Sequence, residues 1–215
     1  MPVAEQIELP DYLPAIVLSG CTIFPHCLQP LFIFEERYRN MLTYSLEKDR
    51  MFCVATTPPG VDPDEKPESI FPITTAGLIR AAVEHDNGTT HLTLLGLRRV
   101  RVLEWDHSMD FRLGRIEPVV CQDGNTDEAL QLATDLTDLT RELSGEGQPM
   151  SERVLAHLRG VKDASAIADV VAHNFITDPM EKQQFLEMEN VPRRLTLLIE
   201  RMRELILEDQ SGTEF

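Results

Sequence analysis

The sequence predicts an α+β fold, in which a mixed or antiparallel sheet precedes a helical bundle. Up to about residue 120, apolar residues come in short runs bounded by proline or glycine, a pattern typical of buried strands that end in turns. Beyond the polar stretch 122–126 they recur every three or four positions, as on the buried face of a helix. We therefore expect three parts: a sheet subdomain over residues 1–121, a helical subdomain over 122–208 and an acidic tail over 209–215.

The first half of the chain alternates short strands with one helix. Residues 15–18, 31–34 and 51–55 form apolar runs that predict buried strands. Between residues 35 and 49 the period changes, because Tyr38, Leu42 and Leu46 can share one helical face. Four prolines and a glycine over residues 57–67 then predict a long exposed loop.

A β-hairpin over residues 77–95 is the strongest local prediction. Two apolar runs are joined through Asn87-Gly88, a pair that tolerates the positive φ of a tight turn. Alternating residues over 100–105 and 111–117 predict two further strands. The sheet should therefore contain about six or more strands, as a small twisted sheet or a partly closed barrel.

The remaining chain predicts four or five helices. Asp163 can cap one helix, and Asp178-Pro179 resembles the start of another, with proline at its first position. A shorter helix is expected at 151–158, and residues 144–149 should end the helix before it. The helix that ends at 144–149 carries the apolar stripe Leu132, Leu136, Leu139 and Leu143. The helix capped by Asp163 presents the apolar face Ile167, Val171 and Phe175.

The last helix is expected to be the central packing helix of the bundle. Its apolar residues follow a 4-3-4-3 spacing, which places them on one stripe. The charged residues Arg193 and Arg194 are expected mostly on the other faces. The stripe consists of Val191, Leu195, Leu198, Met202 and Leu205.

Charge and composition restrict the classes of partner. With 36 acidic residues against 20 Lys and Arg, the formal charge is −16, which opposes binding to nucleic acid. The sequence shows neither an apolar run long enough to span a membrane nor a secretory signal, so a cytoplasmic protein without a membrane partner is expected. Four cysteines at irregular spacings are expected to be reduced thiols.

Catalytic signatures are missing from the sequence. It contains no GxxxxGK[ST] phosphate loop, no HExxH zinc motif and no GxSxG elbow. Cys21, His26 and Cys27 lie close together but lack the usual CxxC spacing, so we interpret the thiols as filling apolar space and His26 as a turn residue. Cys53 and Cys121 are likewise expected to be core residues. We expect no catalytic residue, no cofactor and no metal.

Several short motifs occur along the chain in a fixed order. They are Leu13-Pro14, Phe24-Pro25-His26, Pro30-Leu31-Phe32, Ala76-Gly77, Asp86-Asn87-Gly88, Leu95-Gly96 with Arg98, Lys182-Gln183 with Leu186-Glu187, and Val191 with Arg194-Leu195. Each motif alone would be unspecific, and their order is what identifies a family. In this order they resemble the N-terminal substrate-binding domain of the Lon ATP-dependent proteases, and the resemblance covers about residues 10 to 208.

The resemblance implies a PUA-like pseudo-barrel followed by a helical bundle. It also implies a stand-alone, non-enzymatic member, since the ATPase and the Ser-Lys protease domains of a Lon protease are not in this sequence. The implied function is binding of unfolded or apolar polypeptide segments, as an adaptor for a separate protease or ATPase, and a weak homodimer is left open. Candidate binding residues are the apolar side chains near the predicted turns, Phe24, Leu28, Phe32 and Phe34.

The alternative is a small-molecule, nucleotide or RNA ligand. Other PUA-like folds include such binders, and a cleft between sheet and bundle would be the expected site. An RNA binder should show a basic stripe, and the charge of −16 argues against one. An enzyme acting through Cys21, Cys27 and His26 is a more distant third alternative.

Overall fold

The computed structural model describes residues 7–143 and 149–212, with side chains for 7–142 and 152–207. The chain divides into two compact units. A sheet unit contains the chain up to Val119 together with residues 178–186, and a helical unit contains residues 120–177 and the chain from Glu187 onwards.

Within the described residues, six strands and six helices form these units. The strands are β1 (Tyr12–Ser19), β2 (Leu28–Ile33), β3 (Met51–Thr57), β4 (Ile73–Glu84), β5 (Thr90–Asp106) and β6 (Arg112–Pro118). The helices are α1 (Glu36–Glu47), α2 (Asp127–Leu143), α3 (Pro149–Leu158), α4 (Ala164–Phe175), α5 (Pro179–Glu187) and α6 (Val191–Gly212). A short 3₁₀ turn covers Pro67–Ser69.

The sheet is mixed, and five of its strands close into a ring. The strand order is β2-β5-β4-β3-β1-β6, and β6 also pairs with β5. Among the strands described, β1 and β3 run parallel and the other pairs are antiparallel. Strand β2 lies outside the ring and pairs with the first part of β5. The predicted α+β class with a partly closed barrel is confirmed.

Strand β5 is long because its two parts have different neighbours. Residues 90–95 pair with β2, and residues 100–106 pair with β6. The strand predicted at 100–105 is therefore the second part of one 17-residue strand. The predicted hairpin between β4 and β5 is confirmed, with a hydrogen bond of 2.8 Å from His85 N–H to the Thr89 carbonyl and a positive φ at Gly88.

Helix α1 contributes to the core of the sheet unit. Its buried residues Tyr38, Met41 and Leu42 join a cluster with Phe52 of β3 and Leu94 of β5. The Tyr38 hydroxyl donates to the carbonyl of Val17, at 3.2 Å, and so links the helix to β1. The helix predicted between residues 35 and 49 is confirmed.

The proline-rich loop is held to the sheet unit through Asp64. This carboxylate accepts hydrogen bonds from Arg37, at 2.6 Å, and from Arg112, at 2.8 Å. Burial alone would raise the pKa of Asp64, but the two arginines outweigh it and hold that pKa below its usual range. The exposed loop predicted over 57–67 is present, although Thr57 still belongs to β3.

Helix α5 groups with the sheet unit, although the sequence pattern assigned residues 122–208 to a helical subdomain. Gln183 explains the difference, because its buried amide donates to the Ile73 carbonyl, at 2.9 Å, and accepts from the Thr22 hydroxyl, at 3.2 Å. Phe185 and Leu186 are also buried. Hydrogen bonds between residues so far apart in the sequence leave no periodic pattern from which they could be predicted.

The helical unit consists of α2, α3, α4 and α6. Asp163 caps α4 as predicted, accepting from Ala166 N–H at 2.7 Å. On α2, Leu136 is fully buried while Leu132 and Leu139 are half-buried. The Leu143 side chain and the predicted helix end at residues 144–148 lie outside the described residues. Of the predicted tail, residues 209–212 continue α6 and residues 213–215 lie outside the described residues.

Arg194 of α6 differs most from its predicted position. The sequence pattern placed it on an outer face, but its side chain is fully buried. It lies 3.7 Å from the buried carboxylate of Asp169 on α4 and donates to the Met188 carbonyl, at 3.0 Å, and to Ser165 Oγ. Val191, Leu195, Leu198 and Met202 are buried as predicted. No helix within the described part of the chain is long and apolar enough to cross a membrane.

Candidate functional site

Strand β2 exposes apolar side chains along one face. Leu28 and Phe32 are 56% and 50% exposed, and Phe34, just beyond the strand, is 59% exposed. Pro30 lies between them and is also exposed. Residues two apart point to the same side of a strand, so these side chains share one face. On the opposite side, Ile33 is buried and Leu31 packs against the core.

The neighbouring strands continue this face. His91 of β5 lies opposite Phe32, and Val83 of β4, 60% exposed, lies opposite His91. The Phe32 ring centroid is 4.7 Å from that of His91 and 5.9 Å from that of Phe34. We call this surface the apolar patch, and it consists of Leu28, Pro30, Phe32, Phe34, Val83 and His91.

Contiguous groups of exposed aromatic and aliphatic side chains are uncommon on soluble proteins and are typical of interaction surfaces. About half of the surface of the two phenylalanine side chains in the patch is in contact with water, so covering them with an apolar partner would be favourable. The patch has no buried acid, base or nucleophile among its members. Its chemistry is that of apolar contact and aromatic stacking, not of catalysis.

Phe24 does not belong to the patch. It is fully buried in the connection between β1 and β2, so among the four sequence candidates it is the one that offers no surface to a partner. A Cβ atom at Gly96 would collide with the Phe24 carbonyl oxygen, which shows how closely β5 approaches this turn. The other three sequence candidates, Leu28, Phe32 and Phe34, lie together on one surface.

Val83 and His91 were not among the sequence candidates. The signal that could have found them is the hairpin register, since the turn through Asn87-Gly88 places residue 83 opposite residue 91. The contact between Phe32 and His91 needs in addition the pairing of β2 with β5, which joins strands separated by more than fifty residues. Such pairing is not visible in local sequence patterns.

Cys21, His26 and Cys27 all lie in the connection between β1 and β2. His26 lies in a turn with φ of 65°, as the sequence indicates, and Cys27 is buried. Burial raises the pKa of the Cys21 thiol, an effect that nearby Lys182 only partly offsets, and burial raises the pKa of Cys53 to about 12. Among the described residues, no group of three or more His, Cys, Asp and Glu side chains is placed to hold a metal ion.

A concavity of about 440 Å³ lies in the helical unit, where α2 and α6 begin. Most of the residues that line it are polar or charged: Asn190 donates to Asp123 at 2.9 Å, and Arg193 and Thr196 line the same space. This concavity offers hydrogen-bonding groups but no aromatic side chain, in contrast to the apolar patch.

Comparison with known proteins shows the same family as the sequence motifs. Residues 12–204 match the family described as "ATP-dependent protease La (LON) substrate-binding domain". Among curated proteins, Lon protease of Trichlorobacter lovleyi is 27% identical over 196 residues, or 89% of this chain. Lon protease of Geobacter metallireducens is 25% identical over 195 residues. The chain spans about a quarter (24%) of the length of each of these relatives.

Solved structures share the fold. The N-terminal domain of Mycobacterium avium complex Lon protease superposes with a TM-score of 0.69 at 17% identity, covering 89% of this chain and 98% of that one. The Lon N-terminal domain protein from Xanthomonas campestris gives a TM-score of 0.61 at 20% identity, covering 88% and 97%. The matched region is a substrate-binding domain and not a catalytic one. The chain belongs to the family of Lon substrate-binding domains.

Proposed function

We propose that the protein binds unfolded or apolar polypeptide segments through the apolar patch, as a non-catalytic recognition module. The observation that carries this proposal is the contiguous exposed face of Leu28, Phe32, Phe34 and Val83. The family is described as a substrate-binding domain, and the relatives that contain it are proteases, whose substrates are polypeptides. A surface of apolar side chains suits segments that folded proteins keep buried.

The energetics favour weak, reversible binding. Covering the exposed half of Phe32 or Phe34 would contribute roughly 2.5 kcal/mol each, at about 25 cal/mol per Å² and an aromatic area of roughly 200 Å². Part of this gain is lost to the ordering of a flexible client. A client held in this way can be released, which suits a module that holds a segment for a separate protease or ATPase.

The charge of the protein favours basic clients. At a formal charge of −16 the protein attracts cationic chains over long distances and repels acidic ones. We therefore expect the preferred segment to combine apolar residues with Lys or Arg, and its association rate to fall with added salt.

A cytoplasmic location suits this role, since all four cysteines are free thiols, the state that a reducing compartment maintains.

Replacing the two aromatic rings of the patch tests the proposal. The double variant Phe32→Ser/Phe34→Ser should bind a labelled, unstructured peptide rich in Leu, Phe and Lys at least about tenfold more weakly than the wild type. The reason is that both exposed rings, and the stacking between them, are removed. Fluorescence anisotropy of the labelled peptide measures the dissociation constant.

The matched control is Leu103→Ser. Leu103 is also an exposed apolar residue, 42% exposed, but it lies on the far part of β5, outside the patch. Its substitution should leave the affinity within about twofold of the wild type. Equal affinities of the double variant and the wild type would contradict the proposed site.

A further inference from the structure

Strand β2 lies at an edge of the sheet. Among the strands that the structure describes, only β5 pairs with it, so one side of β2 carries backbone groups without a strand partner. Such an edge is normally a template for pairing with another extended chain. A polypeptide-binding surface beside it could therefore bind its client either by strand addition or by side-chain contact.

The ladder shows which backbone groups face outwards. The Cys27 carbonyl accepts from Gly96 N–H at 2.9 Å, so this carbonyl points towards β5. Successive residues of a strand direct their backbone groups to opposite sides. Leu28, Pro30 and Phe32 therefore direct theirs to the open edge, and these are the residues whose side chains belong to the apolar patch.

Pro30 lies at the middle of this edge. Proline has no N–H, so the edge lacks its central donor. The Pro30 carbonyl accepts from the Gln29 side-chain amide at 3.2 Å, so the central acceptor is also engaged. At the position where the ladder should be continuous, an incoming strand would find no donor and an acceptor that already holds one hydrogen bond.

We infer that the edge of β2 is closed to strand addition, and that the patch binds its client through side chains while the client backbone stays outside the sheet. The part about the client rests on the proposed function, whereas the closed edge does not. The inferred partner is a segment that presents apolar side chains to Leu28, Phe32 and Phe34 without adopting the extended conformation of a seventh strand.

Pro30→Val tests the closed edge without any client. Valine restores the missing N–H and favours the strand, and no hydrogen bond to β5 is lost, because Pro30 has no N–H to donate. We expect Pro30→Val to self-associate through paired β2 edges, so that its sedimentation coefficient rises with protein concentration more steeply than that of the wild type.

Thr93→Val is the matched control for Pro30→Val. Thr93 lies opposite Pro30 on β5 and is paired with β2 on one side and with β4 on the other. This variant adds a valine to the same face without opening an edge, and it should sediment like the wild type. Identical sedimentation of Pro30→Val and Thr93→Val would overturn the inference about the edge.

Methylated peptides test the mode of client binding. Two versions of the labelled Leu-, Phe- and Lys-rich peptide carry N-methyl groups on the backbone amides of either the odd or the even positions. Because alternate residues of a strand donate to opposite sides, each version lacks the donors for a ladder in one of the two registers. Both should bind the wild type within about twofold of the unmodified peptide, and a loss of about tenfold or more in one register would overturn side-chain recognition. If no peptide bound, the proposed function would be contradicted, and sedimentation of Pro30→Val would still decide whether the edge is closed.

Discussion

Asp169→Ala should destabilise the helical unit by about 3–5 kcal/mol, because it leaves the buried Arg194 cation without its carboxylate. Both side chains are at most 1% exposed, so water cannot replace the lost partner. The Met188 carbonyl and Ser165 Oγ continue to accept from Arg194, but neither carries a full negative charge. Urea unfolding followed by far-UV circular dichroism, which reports mainly on the helices, measures the loss.

An exposed ion pair in the same unit provides the control. Asp138 pairs with Arg141 at 2.5 Å, and both side chains are 63% exposed. Asp138→Ala should therefore cost at most about 1 kcal/mol. Equal losses of stability for Asp169→Ala and Asp138→Ala would show that the helical unit does not require the buried ion pair for its stability. The double variant Asp169→Leu/Arg194→Met, which removes both charges, should regain most of the stability.

Phe24→Ala should destabilise the sheet unit by about 3–5 kcal/mol, because it opens a cavity under the connection between β1 and β2. Phe24 is fully buried, and β5 packs closely against its backbone at Gly96. Trp105 is the only tryptophan of the chain and lies on β5, so its fluorescence reports on unfolding of the sheet.

Phe34→Ala is the matched substitution on the surface. Phe34 is 59% exposed, so its replacement should change stability by less than about 1 kcal/mol while weakening peptide binding. Phe24→Ala should leave the affinity of the folded protein unchanged. A large loss of stability for Phe34→Ala would contradict the assignment of Phe34 to the patch. A large loss of peptide affinity for folded Phe24→Ala would contradict the assignment of Phe24 to the core.

Local patterns predicted most elements of the fold. The hairpin through Asn87-Gly88, the capped start of α4 at Asp163 and the apolar stripe of α6 each have a cause within a few neighbouring residues. The family motifs identified the domain. Long β5 was predicted as two strands, because residues 96–99 interrupt the apolar pattern, whereas the strand continues through them and changes its partner from β2 to β6.

Tertiary contacts determine the burial of Arg194 and the placement of helix α5, which local sequence patterns did not predict. Arg194 looked like a surface residue because its buried partner, Asp169, lies on another helix. Helix α5 looked like part of the bundle because the hydrogen bonds of Gln183 to Thr22 and Ile73 span more than a hundred residues. In each case a buried polar group is satisfied by a distant partner, and neither periodicity nor spacing indicates such a contact.

The candidate site was predicted in part for the same reason. Apolar residues near the turns were recognised, but sequence alone could not separate the buried Phe24 from the exposed Phe32 and Phe34. Strand alternation is consistent with either face being buried until the pairing partner is known. The patch became visible only with Val83 and His91 placed beside β2.

Mapping the bound peptide on the protein by NMR tests the central claim most directly. In a titration of ¹⁵N-labelled protein with the unlabelled Leu-, Phe- and Lys-rich peptide, the largest amide shift changes should fall at Leu28, Phe32, Phe34, Val83 and His91. The polar concavity of the helical unit, near Asn190 and Arg193, should remain unchanged and serves as the internal reference. Shift changes confined to that concavity, with none along β2, would contradict the account.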